Sequence, residues 1–354
     1  VTSLRPLNRR GSRRGLARRV GLPLGALLLA LPLAACGSEE SGGSASDSES
    51  AGGESFEPVT IEHAFGETEI DEQPQRVVTW GWGSSDAAIA LGTIPVAMPK
   101  NSYGATEEGL MPWQEEALTA AGAETPTLLT EGTEVPFEEI AAAGPDLILA
   151  NYSGITEADY EKLSQIADTV AYPDEPWTTP WRDVITTVGE ALGQSDEAEQ
   201  LLEDIDGEVA TAAEEHPEFE GKTIAAVAID PTAFYVYKGA DPRVQFLEDL
   251  GFELAPSVDE LSTDESSFYY TISTEEVDKL TSDVLLSYVA DEATRDELAA
   301  DPAYQAMEQF QDDTVASVVG ESYISAVSPP TALSLTWGLD EFVASLEPAV
   351  QAAG

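Results

Sequence analysis

The 354-residue chain holds two histidines, His63 and His216, and one cysteine, Cys36, so the groups that most often carry acid–base, nucleophilic or metal chemistry are scarce. Neither histidine has another at metal-ligand spacing, which excludes a Zn or Mn site built on several imidazoles. A Ser-His-Asp system lacks its strand-turn-helix Gly-x-Ser-x-Gly. Gly81-Trp82-Gly83-Ser84-Ser85-Asp86 imitates the start of a dinucleotide fingerprint, but Asp86 puts an anion at the helix start where a pyrophosphate would bind. Gly221-Lys222-Thr223 imitates a phosphate loop, yet His216 stands in place of the upstream glycine and the Lys-Thr opens a strand. Acidic pairs occur throughout; at such density they read as solvated surface, with a carboxylate-site enzyme as a minor alternative.

The aromatic residues are more informative. Trp80, Trp82, Tyr103, Trp113, Tyr152, Trp177, Trp181, Tyr235, Tyr237 and Tyr288 fall mostly at strand ends or in the loops after them. Loops on a rigid scaffold carry function. With few basic groups nearby (Lys100, Arg182, Lys238, Arg243), the grouping predicts a broad aromatic cleft.

The elements that must position this cleft read as α/β. RVVTW, a glycine turn and AAIALG form strand, turn and helix, and IPVAMP, PDLILAN and DTVAYP supply further strands. Strands separated by helices imply mostly parallel sheets. Between Trp177 and His216 no strand interrupts a long helical stretch, whose break falls at Leu192-Gly193-Gln194-Ser195. The alternation then resumes with KTIAAVAI, DPRVQFLEDLG, TEEVDKLTSDVLLSYV as helix and strand, TVASVV, and a closing helix from PTALSLTWGLDEFV. One phrase occurs twice: EEIAAAGPDLIL from Glu138 and EEVDKLTSDVLL from Glu275 share the order acid pair, short interval, aspartate, apolar strand. The fold class is therefore α/β, with two α/β lobes of mostly parallel sheet joined by a helical connector. Ligands of open parallel sheets sit beyond the carboxyl edges of the strands, which places a cleft between the lobes.

The ends of the chain bound where it works. VTSLRPLNRRGSRRGLARRV carries seven of the sixteen basic residues and precedes an apolar run too short for an ordinary spanning helix, the pattern of an export signal. Leu33-Ala34-Ala35-Cys36-Gly37 resembles a bacterial lipobox, in which the chain is cut before a cysteine that is then acylated. The Gly, Ser and acid segment that follows has little to bury and reads as a disordered tether of roughly 25 Å span. Nine basic residues then face 66 acidic ones, which makes nucleic acid and anionic lipid poor partners. The divisions are 1–35 signal, 36–55 tether, 56–175 first lobe, 176–216 connector and 217–354 second lobe.

RVVTWGWGSSDAAIALGTIPVA, PFEEIAAAGPDLILAN, the Trp177–Arg182 stretch, YVYKGADPRVQFLEDLGF and ISAVSPPTALSLTWGLDEFV together resemble the ferric-siderophore-binding lipoproteins of ABC importers, over nearly all of residues 56–354. The resemblance implies a non-catalytic, monomeric receptor, lipid-anchored through Cys36 on the extracytoplasmic face of the cell membrane. It would bind no cofactor, carry iron only as a chelate, and deliver it to an ABC permease. It implies chelate contacts among the aromatics named above, with Arg182 and Arg243 as charge-assisted donors, and permease docking through Glu138 and Glu275. The scarcity of basic residues favours a neutral or weakly charged hydroxamate over a tris-catecholate. A haem or cobalamin receptor of the same fold, and an adhesion module, are the rival readings.

Overall fold

A computed structural model describes residues 56–354 except 133, 231, 232, 264, 265 and 267; the signal, the tether and Cys36 lie outside the described residues. The described chain opens with the hairpin β1 (Val59–His63) and β2 (Gly66–Ile70), which pair antiparallel. The first lobe then alternates β3 (Val77–Thr79), α1 (Ser84–Ala90), β4 (Ala97–Pro99), α2 (Pro112–Ala121), β5 (Thr127–Leu129), α3 (Phe137–Ala143), β6 (Leu147–Ala150), α4 (Glu157–Leu163) and β7 (Asp168–Ala171). Its five strands are all parallel, in the order β5-β4-β3-β6-β7. Every residue of β6 is buried, as expected of a central strand covered on both faces.

Two helices follow, α5 (Trp181–Leu192) and α6 (Ser195–Glu215). On α5 the residues Trp181, Val184, Ile185, Val188 and Leu192 are buried, a helical stripe that packs on the first lobe through α1 and β1. The predicted break is present: Gly193 takes a left-handed φ of 68°, and a Cβ there would meet the Phe56 ring at 2.6 Å. The 21-residue α6 extends about 31 Å by helical rise.

The second lobe contains β8 (Thr223–Asp230), β9 (Ala233–Tyr237), α7 (Pro242–Asp249), β10 (Glu253–Leu254), α8 (Pro256–Leu261), β11 (Tyr269–Ile272), β12 (Val284–Val289), α9 (Glu292–Ala300), α10 (Glu308–Gln311), β13 (Val315–Val319), α11 (Glu321–Val327) and α12 (Ser334–Ala352). Its sheet is mixed. β10, β12 and β13 run parallel with β8, while β9 and β11 form an antiparallel extension. No helix of the described residues is long and apolar enough to cross a membrane.

The repeated phrase builds α3 and β6 in the first lobe but only a 3₁₀ turn, Val277–Lys279, before β12 in the second. The helix expected over TEEVDKL is therefore corrected. Gly144 ends α3 with φ 60°, a conformation costly for the β-branched Thr281 at the matching position, so the second chain turns more tightly.

Candidate functional site

In the first sheet the strand order reverses between β3 and β6, and the loops leaving these strands meet at the carboxyl edge. The backbone amide of Trp80 donates to Leu149 O (2.8 Å) and that of Trp82 to Tyr152 O (2.9 Å), so the two loops are laced together. Gly81, at φ 104°, permits this: a Cβ there would stand 2.4 Å from Tyr152 O. Beyond this edge lies a cavity of about 450 Å³, walled by Trp80, Trp82 and Trp177 with Lys100, Asn101, Glu131 and Asp159 among its polar groups. Its lining comes from the loops after all five strands. The size falls within the roughly 300–1,000 Å³ of small-molecule sites.

Trp177 is 40% exposed, holds a left-handed φ of 63° and meets Tyr152 edge-on at 5.7 Å. Its indole covers Gly154, where a Cβ would approach within 2.4 Å of Nε1. A large aromatic held exposed at a strained backbone position fits a binding wall better than a core.

The second lobe supplies an arginine–aspartate pair and two tyrosines to the same seam. Asp241, fully buried, caps α7 by accepting from the Arg243 amide (2.8 Å), and its other oxygen pairs with Arg243 Nη1 at 2.6 Å. Arg243 Nε donates to Ser328 Oγ, and its guanidinium lies 4.4 Å from the centre of the Tyr237 ring. Tyr237 meets Tyr288 edge-on at 6.2 Å. Burial pushes the Tyr152, Tyr237 and Tyr288 phenols up, with Arg243 opposing in each case, so Tyr152 of the first lobe lies within the field of an arginine of the second. Arg243 itself stays protonated: burial works against it, and Asp241 together with Tyr237, Tyr152 and Tyr288 more than offsets burial. Among the described residues Tyr288 Oη and Trp181 Nε1 are buried polar atoms without a partner, a condition that costs about 1–3 kcal/mol each unless a partner arrives.

The lobes also touch directly. Trp82 Nε1 donates to Pro329 O at 2.9 Å, and a small recess is bounded by Trp82, Tyr152 and Trp181 on one side and Pro242, Pro329 and Thr331 on the other. Beneath it the buried Asp86 accepts from Trp113 Nε1 and Gln114 Nε2, both at 2.6 Å, and from Thr331 Oγ1. Burial raises the Asp86 carboxyl while these three donors pull it down. Asp86 thus bolts α1, α2 and the segment ahead of α12 together. Its sequence reading as a bar to a dinucleotide did not reveal this, because its partners lie 27 and 245 residues away.

The structure brings Trp80, Trp82, Tyr152, Trp177 and Trp181 to the first-lobe side of the seam, and Tyr237, Arg243 and Tyr288 to the other. It does not bring Arg182 into either cavity. Arg182 binds Asp206 (2.6 Å) and Asp249 (2.8 Å) and lies 4.2 Å from the centre of the Trp181 ring, stapling α5 to α6 and α7. The expectation that it contacts ligand gives way to this role, since its donors are already committed. Trp113 is spent on Asp86 and on Trp337, 5.4 Å away. Tyr235 packs edge-on against Tyr269 on the antiparallel extension, and Tyr103 is exposed and lines neither cavity. Lys100, Asn101 and Glu131 were not among the expected contacts, although Lys100 and Asn101 follow the predicted strand IPVAMP; the strand ahead of Glu131 was not predicted. The histidines lie elsewhere: His63 Nε2 bonds Thr68, and His216 faces Glu218 and Glu347. Among the described residues no group of three or more His, Cys, Asp or Glu is placed to hold a metal ion.

Residues 77–317 match the periplasmic binding protein family. The chain belongs to that family. Among solved structures it is similar to PiaA of Streptococcus pneumoniae TIGR4 in complex with ferrichrome, at 34% identity and TM-score 0.77, covering 83% of this chain and 99% of that one. Among curated proteins it is 27% identical over 208 residues to the ferric enterobactin-binding periplasmic protein FepB of Escherichia coli O6:H1, 56% of this chain and 62% of that protein. It is 28% identical over 182 residues to the putative ABC transporter substrate-binding lipoprotein YhfQ of Bacillus subtilis, half of each chain. The chain thus spans about three-fifths and one half of the lengths of these two curated relatives.

Proposed function

We propose that this chain is the extracytoplasmic receptor of an ABC importer, capturing a ferric siderophore in the seam between its lobes and handing it to the permease without catalysing a reaction. The observation that carries this reading is the aromatic cavity at the carboxyl edge of the first sheet, with Arg243, Tyr237 and Tyr288 across the seam. A ferric chelate presents a compact oxygen core with apolar edges, which such a wall and one guanidinium suit. Family membership supports it, as do relatives that bind ferrichrome or ferric enterobactin. In this reading the lobes span 56–175 and 217–354 with the connector at 176–216, the receptor acts as a monomer, and Cys36 anchors it to the membrane. Glu138 and Glu275 are its docking contacts.

The test is quenching of intrinsic tryptophan fluorescence by a panel of ferric siderophores, haem and cobalamin. Saturable quenching by a ferric siderophore with micromolar or tighter affinity is expected; binding of haem or cobalamin alone would replace the reading. Neither histidine lies near the seam, so an imidazole ligand for haem iron has no candidate there.

A further inference from the structure

The two arginines near the seam are already committed to carboxylates. Arg243 is paired with Asp241, whose carboxylate is 0% exposed and lies behind the guanidinium, while the arginine side chain is 15% exposed. Nη1 goes to Asp241 and Nε to Ser328, which leaves Nη2 as the nitrogen without a hydrogen-bond partner among the described residues. Lys100 shares the aromatic cavity with Glu131. Arg182 is consumed by two aspartates, and Lys238 Nζ by the carbonyls of Ser266 and Thr263. The cleft therefore offers donors without net positive charge, inside a strongly acidic protein.

Resting on the receptor reading above, we infer that Asp241 sets the charge of the accepted chelate, cancelling Arg243 so that the seam takes a neutral or cationic ferric trihydroxamate and rejects a polyanionic tris-catecholate. Three singly charged hydroxamates neutralise ferric iron, whereas three doubly charged catecholates leave a trianion. A guanidinium with a buried counter-ion still donates a directed hydrogen bond to a chelate oxygen, so shape and donor geometry are kept while long-range attraction for an anion is lost. Removing the counter-ion restores that attraction. This makes Asp241 a specificity-determining residue that acts through Arg243 and need not touch the ligand.

The experiment titrates the folded protein with ferrioxamine B (a trihydroxamate with a pendant ammonium), ferrichrome (neutral) and ferric enterobactin (a trianion), following tryptophan fluorescence. Wild type should bind the first two at least about tenfold more tightly than the third, and Asp241→Asn should raise affinity for the trianion about tenfold while leaving ferrichrome within about threefold. Asparagine keeps the helix cap, and circular dichroism checks the fold. Should Asp241→Asn not fold, salt dependence in wild type decides: added NaCl should weaken ferrioxamine B and strengthen ferric enterobactin. The inference is overturned if wild type binds the trianion as tightly as ferrichrome, if Asp241→Asn folds and leaves the ratio unchanged, or if salt weakens trianion binding. In each of those cases the receptor reading stands, whereas binding of no ferric chelate overturns both.

Discussion

The two lobes begin from the same unit and diverge beside it. In the first, the Asp146 carboxylate accepts the backbone amides of Gln75 and Arg76, both at 2.8 Å, just ahead of β3. In the second, Asp283 accepts the amide and the hydroxyl of Thr223, both at 2.7 Å, at the start of β8. The repeated aspartate thus performs one task twice: it ties the base of a lobe's central strand to the strand beside it. On the far side of that strand the lobes part. The first adds parallel β4 and β5, whose following loops bring Lys100 and Glu131 to the cavity. The second adds antiparallel β9, which delivers Tyr237 and the turn into α7 that carries Asp241 and Arg243. What is shared supports the sheets, and what differs adds charged groups to the proposed site.

The sharpest way to break this contrast is at Gly81. In Gly81→Ala the new Cβ would collide with Tyr152 O at a positive φ, and the loops after β3 and β6 would have to separate. A loss of about 2–3 kcal/mol in urea unfolding is expected, together with loss of chelate quenching. Next come the two arginines, which test whether ligand recognition belongs to the diverged half. Arg243→Ala should weaken chelate binding about 30-fold while the fold persists. Arg182→Ala should leave affinity within about threefold but lower stability by about 1–2 kcal/mol, since Asp206 and Asp249 are left facing each other. The reverse pattern would show that the connector, not the second lobe, holds the ligand.

A smaller effect tests the shared aspartate. The Thr223 amide and hydroxyl hold the Asp283 carboxyl below the usual aspartate range. Its folded value lies below its unfolded one, so its contribution is present at neutral pH and is lost as pH falls through the folded value. Asp283→Asn should cost about 1 kcal/mol near pH 7, kept small by exposure, and the gap to wild type should close in acid. Urea midpoints measured from pH 7 down to pH 3 check this. A gap that stays constant would mean that the hydroxyl geometry, not the charge, ties β8 to β12.

How much of this was legible in the sequence follows the range of the interactions. The α/β alternation, the helical connector and its break at Gly193 are written in local periodicity and a glycine stop and were readable, whereas the β1–β2 hairpin, α2 and β5 were not read. The antiparallel β9 and β11 were not foreseen, since the strand pattern of AFYVY does not state the direction of its partner. Arg243 and Tyr237 were found because they follow a strand in an unusually aromatic phrase. Arg182 stands in an equally suggestive phrase, but the aspartates that claim it lie 24 and 67 residues further on. Asp241 sits two residues from Arg243 and escaped notice, because among 66 acids one buried carboxylate carries no mark in the sequence.

The smallest effect on the isolated protein is expected at the repeated glutamates, and it bears most directly on why the unit occurs twice. In each acid pair the second member is engaged within its own lobe: Glu139 accepts from the Thr130 amide and hydroxyl, and Glu276 pairs with Lys279 at 2.6 Å. The first members, Glu138 and Glu275, are exposed, and their carboxylates make no hydrogen bond or ion pair among the described residues. All four carboxylates are exposed, but one of each pair is engaged by its own lobe and the other is not, even though α3 has become a 3₁₀ turn in the second lobe. A helix end can tolerate an acid in its first turn, but that account covers Glu138 only, since a single 3₁₀ turn has little dipole to offer Glu275. A permease of two similar halves meeting one lobe with each would need the same outward carboxylate twice. The double change Glu138→Ala and Glu275→Ala should therefore shift stability by no more than about 0.5 kcal/mol and leave chelate affinity unchanged, while uptake of iron-59 chelate by cells expressing it falls at least about tenfold. Each single change should reduce uptake to a similar intermediate degree. Normal uptake by the double variant at wild-type expression would reduce the repeat to shared architecture, and a loss confined to Glu138→Ala would confine docking to the first lobe.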